Sequence, residues 1–328
     1  MDSDIVPVGE STWSNVLKQF NVPKVLLGPA GEAISRLIGH AADIPAEYIA
    51  NISQGIKDKR EARTEVSKAL AKAVATDVIG DKALLQRAAQ SFLAKEFRSQ
   101  TNKEAVAHKA IEHLSDGPDV IQGEAQSLDD DWINIFERYA ENASSERLRD
   151  LWGRVLAKEI RKPKSFSLRT MRFISELDGE TARIFQKHSA GIIDGDFLLK
   201  PYNLIDPLLG ELLSLEDAGL IVGTQGSLSR EYTEDKPDRD VHIIFNFHTL
   251  AVAAICEVGA RISFPNLLLT NTGKEILKIV EPADDREFVN NLIATIDKSR
   301  VRRLLVGRRT ATHGKLEQVE TAWEASTQ

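Results

Sequence analysis

The sequence contains very little cysteine and no long uncharged apolar run. Among 328 residues there is one cysteine, Cys256, which excludes an intrachain disulfide. It lies in the apolar run LAVAAICEV, so we expect a small buried side chain and not a nucleophile. No apolar window reaches the roughly 18 residues that identify a membrane-spanning helix. Because the first residues, MDSDIVPVGESTW, also lack the pattern of a signal peptide, we expect a cytoplasmic protein.

The common motifs of catalysis and cofactor binding are absent as well. There is no P-loop, dinucleotide-binding glycine pattern, nucleophile elbow, kinase signature or HExxH. The run Asp129, Asp130 and Asp131 could suggest a metal site, but consecutive helical residues diverge by about 100° each and cannot converge on one ion. We interpret it as a helix start, where the helix dipole favours acidic residues. The sequence therefore predicts a protein that is not an enzyme and holds no metal or cofactor.

Charge of one sign is concentrated near the C-terminus. The whole chain has a formal net charge of −7, which argues against a dedicated nucleic-acid coat protein. A basic run is nevertheless a candidate for contact with nucleic-acid phosphates, which arginine binds well. The alternative is a strand or helix that packs on the stems of these side chains, in a structural or inter-subunit role. The basic run comprises Lys298, Arg300, Arg302, Arg303, Arg308 and Arg309.

Hydrophobic periodicity predicts a mainly α protein. Apolar residues recur at helical spacing through an N-terminal region, residues 1–116, with one helix starting near Pro29, another at Asp81 and a further one after Thr101. A central block, residues 127–190, is predicted to contain helices that begin near Asp129, at Ser144 or Ser145, at Ser165 or Ser167, and at Asp178. A tail, residues 283–328, is predicted to hold a helix followed by the basic run.

Between these parts, residues 191–282 combine helical and strand patterns. An amphipathic helix ends in A-G-L-I, where Gly219 can supply the left-handed turn. The segments VHIIFNFH and RISFPNLLLT read as strands, and Asn271 or Thr272 is predicted to cap a following helix. This order is similar to the C-terminal half of winged-helix modules. We therefore expect a small winged-helix-like α+β unit near residues 200–282.

A second interpretation concerns residues 22–44, the most apolar part of the N-terminal region. Their charged residues and prolines exclude a simple membrane span. They could instead form an interfacial helix that enters a membrane after a trigger, although a buried helix in a helical domain is the simpler interpretation.

The central block carries the most specific pattern of the chain. It contains D-W at Asp131, LWGRVLAKE from Leu151, and PKSFSLRT from Pro163. In these motifs it resembles DUF2806, a bacterial family of unknown function, and the resemblance implies no catalytic residues and a role in phage defence. The residues that we interpret as a structural signature or a partner surface are Trp132, Trp152, Arg154, Glu159, Phe166 and Arg169.

Three functions are compatible with these patterns. The first is a non-enzymatic sensor or adaptor that binds a macromolecular partner, through a protein contact or self-association, in antiphage defence. The second is a DNA-binding regulator that uses the winged-helix-like unit and the basic run. The third is a membrane-acting abortive-infection effector that uses residues 22–44.

Overall fold

The computed structural model describes residues 29–38, 82–115, 127–200, 205–233, 241–281, 283–310 and 316–325. The chain divides into two compact units, Met1–Met171 and Arg172–Gln328. The finer four-part division expected from the sequence stays a prediction. Within the described residues no helix is both long and apolar enough to cross a membrane. Most of residues 22–44 lies outside the described part of the chain.

The described residues of the first unit are helical. Its elements are α1 (Pro29–Ile38), α2 (Lys82–Ser115), α3 (Asp130–Glu141), α4 (Glu146–Arg161) and the start of α5 (Leu168–Glu176). The sequence predicted two helices over residues 81–115, whereas α2 is one continuous helix of 34 residues. Thr101 does not interrupt it, because its hydroxyl donates to the carbonyl of Phe97 four residues earlier, inside the helix.

Side-chain caps fix the helix starts that the sequence predicted. Asp129 accepts a hydrogen bond from the backbone N–H of Trp132, and Ser145 accepts one from Leu148. Both caps satisfy N–H groups that the first helical turn leaves unpaired. The acidic run at 129–131 therefore belongs to the N-terminus of α3, as predicted.

The C-terminal half of α2 packs against α4 in the core of the first unit. The closest approach is at Gly153, where an added Cβ would lie 2.5 Å from the Cβ of Lys109. Glycine at this position lets the two helix backbones approach closely. The buried residues of this half of α2 are Asn102, Val106, Ala107, Ala110, Ile111 and Leu114.

The second unit is built on two antiparallel sheets. In chain order its strands are β1 (Ile192–Ile193), β2 (Phe197–Leu199), β3 (Ile221–Val222), β4 (Ser229–Thr233), β5 (Val241–Asn246), β6 (Leu250–Cys256), β7 (Arg261–Leu269), β8 (Val301–Arg309) and β9 (Leu316–Glu324). The first sheet has the order β1-β2-β7-β3, and β4 also pairs with β7. The second has the order β5-β6-β8-β9. Its helices are α6 (Gly179–Ser189), α7 (Leu208–Asp217), α8 (Asn271–Leu277) and α9 (Arg286–Thr295).

The expectation of a mainly α protein is therefore wrong. The strands predicted at β5 and β7 are present, but β5 and β6 pair with β8 and β9 of the tail. The strands of residues 191–282 are thus not confined to a small winged-helix-like unit, because half of the second sheet comes from the basic run and the residues after it. One apolar core draws on both sheets and on α9, and Cys256 is fully buried in it, as predicted.

Gly219 and Gly273 form a tight junction between α7 and α8. Gly219 follows α7 with φ +76°, the left-handed conformation that glycine adopts without strain. The N-cap of α8 is Thr270, one residue before Asn271, the first of the two predicted positions. Its side-chain oxygen accepts a hydrogen bond from the backbone N–H of Gly273, and its backbone N–H donates to the carbonyl of Leu220. A Cβ at Gly273 would overlap that carbonyl oxygen.

A partly buried network of hydrogen bonds joins α6 to α7. The ring of His188 is 5% exposed, and its Nε2 donates to Glu211 over 2.7 Å. Lys187 donates to both oxygens of the same carboxylate, at 2.8 and 2.7 Å. Burial lowers the pKa of His188, against the opposing influence of Glu211, so the ring stays neutral in the folded state at a pH where a free histidine begins to protonate.

This arrangement predicts a pH dependence of stability. The unfolded chain takes up a proton on His188 near pH 6.5 and the folded chain does so only at lower pH, so the free energy of unfolding should fall as the pH drops from 7 to 5.5. His188→Gln keeps an N–H donor for Glu211 but cannot titrate. Urea denaturation at several pH values should therefore give a smaller decrease for this variant; parallel curves for variant and wild type would contradict the assignment.

Candidate partner-binding surface

The aromatic residues of the signature lie in the core of the first unit. Trp132 stacks on Phe136 with ring centroids 5.1 Å apart, and Phe136 meets Trp152 edge-on at 5.7 Å. The indole N–H of Trp132 donates to the carbonyl of Phe166 over 2.8 Å, so even its polar atom is satisfied internally. Trp132, Trp152 and Phe166 are all buried. These three residues are structural and present no surface to a partner.

Glu159 organises the loop that follows α4. Its side chain is 3% exposed and accepts hydrogen bonds from three consecutive backbone N–H groups. The distances are 2.5 Å to Lys164, 2.9 Å to Ser165 and 3.0 Å to Phe166. A carboxylate with these donors holds the chain after Pro163 in one conformation and positions Phe166 to receive the Trp132 N–H. Glu159, the last residue of LWGRVLAKE, and the PKSF segment that begins at Pro163 therefore form one structural feature.

Arg154 takes part in a charged network that joins two helices. Arg154 binds Asp150 one turn earlier in α4, at 2.8 and 2.9 Å. His113 of α2 binds the other oxygen of Asp150 at 2.8 Å, so this network joins α2 to α4. Arg169 is exposed. The network could not be predicted from the sequence, because His113 and Asp150 belong to different helices and to no common motif.

Lys298, Arg300 and Arg309 of the basic run are engaged within the second unit. Lys298 donates to the carbonyl of Ile293 over 2.7 Å and lies 5.9 Å from the ring centre of Trp323. Arg300 donates to the carbonyls of Val258 and Gly259, each over 2.8 Å. Arg309 donates to the carbonyl of Phe247 over 3.3 Å. The packing alternative predicted for the basic run thus describes these three residues.

The remaining cations of the basic run lie on β8 beside an acidic strand. Arg303 is 3.9 Å from Glu324, and Arg308 is paired in register with Glu317. Arg302, Arg303 and Arg308 are exposed. Because β9 brings glutamates next to these arginines, the positive potential that the hairpin offers to phosphate is reduced.

An exposed surface that the sequence did not indicate lies on the N-terminal half of α2. Residues 87–99, here called the exposed segment, contain no buried side chain among those described. Phe92 is 61% exposed, a larger fraction than for any other described large apolar side chain of the first unit. From Asn102 onward, by contrast, the same helix contributes side chains that are buried in the core. A single exposed phenylalanine is common on protein surfaces, so Phe92 becomes a candidate anchor only together with the charges beside it.

The charges of the exposed segment are predominantly positive. Arg87, Lys95 and Arg98 are exposed, and Glu96 is its one described acidic side chain. The exposed segment therefore combines one exposed aromatic side chain with three exposed cations and one carboxylate. Arginine and aromatic residues are enriched where proteins bind other proteins.

The comparison with protein families agrees with the central motifs. Residues 86–192 match the model of DUF2806, described as a protein of unknown function. The resemblance noted in the sequence is thereby confirmed over a part of the chain that contains both the signature and the exposed segment. No curated protein matches the chain, and no solved structure does.

Proposed function

We propose that this chain is a non-enzymatic cytoplasmic sensor or adaptor that holds a protein partner on the exposed segment of α2. The observation that carries the proposal is the 61% exposure of Phe92 on a helix whose other half is packed in the core. Burying a phenylalanine side chain contributes about 1.5–3 kcal/mol, and a partner that covers Phe92 would gain this energy.

The placement of the signature supports the same proposal. Trp132, Trp152, Glu159 and Phe166 are used inside the first unit, where they fix the packing of α3 and α4 and the loop after α4. They leave α2 anchored at one end, with the exposed segment presented to solvent. The signature thus supports the binding surface without being part of it.

Phe92→Glu should abolish capture of the partner while leaving the fold intact. The change removes the apolar anchor, and a substitution at an exposed position alters stability by only about 0.5 kcal/mol. The measurement is affinity capture of tagged full-length chain from cells, with nuclease treatment, followed by mass spectrometry. Val258→Glu, at a 46% exposed valine of the second unit, is the matched control and should capture as the wild type does.

The outcomes separate the proposed functions. A protein partner that survives nuclease and is lost only with Phe92→Glu supports the adaptor. Equal capture by wild type and Phe92→Glu contradicts it. Recovery that depends on intact nucleic acid would favour the DNA-binding regulator, and recovery with membranes would favour the membrane-acting effector. Parallel capture from infected and uninfected cells tests the predicted role in antiphage defence.

A further inference from the structure

We infer that the occupant of the exposed segment is an acidic amphipathic helix of another protein. The inference rests on the proposed function and names the chemistry of its partner. Its basis is the arrangement of three exposed cations around the exposed ring of Phe92. A helix that packs on another helix buries an apolar stripe and places its charged residues along the two flanks.

The cations lie on one flank of the Phe92 line. With about 100° between successive residues, Arg87, Lys95 and Arg98 all fall between roughly 60° and 140° to the same side of Phe92. Ala88 lies within about 40° of Phe92 and extends the apolar line by one turn, whereas Glu96 falls on the opposite side. The exposed segment thus presents an apolar line bordered on one side by positive charge.

The axial spacing fits a helical occupant. Arg87 and Arg98 are separated by 11 residues, or about 16 Å at 1.5 Å per residue, so the positive flank covers about three turns. Carboxylates at intervals of three, four or seven residues on a partner helix can face these positions at the same time. Carboxylates along one side of an apolar stripe are therefore the matching pattern.

A second copy of this chain matches less well. In an antiparallel pair centred between Phe92 and Leu93, Arg87 of one copy would lie beside Arg98 of the other, since both are the same distance from the centre. In a parallel pair the positive flanks of the two copies would lie on opposite sides of the interface, each facing the flank that carries the single Glu96 of the other copy. Like charges disfavour the antiparallel pair, and in the parallel pair one glutamate would face three cations, so an acidic helix is the better complement.

Nucleic acid is also a weaker match. The exposed segment offers three cations, one carboxylate and an uncharged centre, in a chain of net charge −7. Binding to a duplex draws its affinity from the number of phosphates neutralised, and three contacts give little. An exposed aromatic between small apolar residues is better used against an apolar stripe.

Photo-crosslinking from Phe92 tests the inference in the full chain inside cells. Phe92→p-benzoylphenylalanine keeps the aromatic ring and reacts with C–H bonds within reach, and the same replacement at Val258 is the background control. The cross-linked peptides are identified by mass spectrometry. We expect segments of one other protein, net acidic, with apolar residues at intervals of three and four. Nucleotide adducts, lipid adducts, peptides of this chain, or segments without net negative charge would overturn the inference, as would a yield no higher than at Val258.

Charge reversal supplies the second measurement. Arg87→Glu, Lys95→Glu and Arg98→Glu together should lower the cross-linking yield at residue 92 by about ten-fold, because three attractions become repulsions. The matched control reverses Arg138, Arg147 and Lys162, which are exposed elsewhere in the first unit, and should leave the yield unchanged. If the two triple variants give equal cross-linking yields, the partner is not acidic and the inference is overturned. Affinity capture can still depend on Phe92 in that case. Failure of this inference is therefore distinct from failure of the proposed function.

Discussion

Glu159→Gln is expected to lower the free energy of unfolding of the first unit by about 3 kcal/mol, although it preserves the shape of the side chain. Glutamine offers one carbonyl oxygen and places an N–H₂ group against backbone donors. Glu159 accepts from Lys164 at one oxygen and from Ser165 and Phe166 at the other, so the variant places its N–H₂ group against at least one backbone N–H. Urea denaturation measures the loss.

Glu146→Gln is the matched control for this prediction. Glu146 lies in the first turn of the same helix, is 71% exposed and pairs with Lys109 at the surface. Its loss should cost no more than about 1 kcal/mol, as for other exposed ion pairs. Equal losses for the two variants would show that Glu159 does not organise the loop after α4.

Gly273→Ala should destabilise the second unit by about 3 kcal/mol or more, in spite of the higher helix propensity of alanine. The added methyl group overlaps the carbonyl oxygen of Leu220, which is a backbone atom and cannot rotate away. The junction between α7 and α8 must then open, and the hydrogen bonds of Thr270 to Gly219 and Leu220 weaken. Thermal unfolding should show a clear decrease in midpoint.

Gly210→Ala provides the comparison within the same unit. Gly210 lies inside α7, where the nearest atom to an added Cβ is 3.9 Å away, an ordinary contact. This variant should be unchanged or more stable by up to about 1 kcal/mol, since glycine is unfavourable in a helix interior. If Gly210→Ala and Gly273→Ala lower stability equally, the close approach at Leu220 is not the cause.

The sequence predicted helix ends well because they depend on neighbouring residues. Asp129, Ser145 and Asp178 accept hydrogen bonds from N–H groups two or three residues ahead. Gly219 adopts positive φ immediately after α7. Each of these features is set by local chemistry, so composition and spacing are sufficient to find it.

The sheets were harder to predict from the sequence because strands that pair are distant from one another in the chain. Strand β6 is a continuous apolar run, buried on both faces, and such a run has no alternation to distinguish it from a helix. Strand β8 pairs with β6 across 44 or more intervening residues, and its arginines suggested a nucleic-acid surface. Only the pairing of the strands shows that Leu304 and Val306, which lie between the arginines of β8, face the core.

The exposed segment was missed for a related reason. Leu85, Ala88 and Phe92 have the spacing of a core-facing stripe. The spacing shows that a helix can bury one face but not whether another element is present to cover it. Among the described residues, α2 forms hydrogen bonds with Ile38, Glu141 and Glu137 through Gln100, Asn102 and Lys103 of its C-terminal half.

The signature packs the core of the first unit, and we propose that the exposed segment binds the partner. Hydrogen exchange of the full chain, alone and in the complex recovered from cells, tests this claim most directly. We expect the partner to slow exchange over residues 87–99 and to leave the loop at 163–167 and strand β8 unchanged. Slowed exchange at 163–167 or in β8, with residues 87–99 unaffected, would contradict the account.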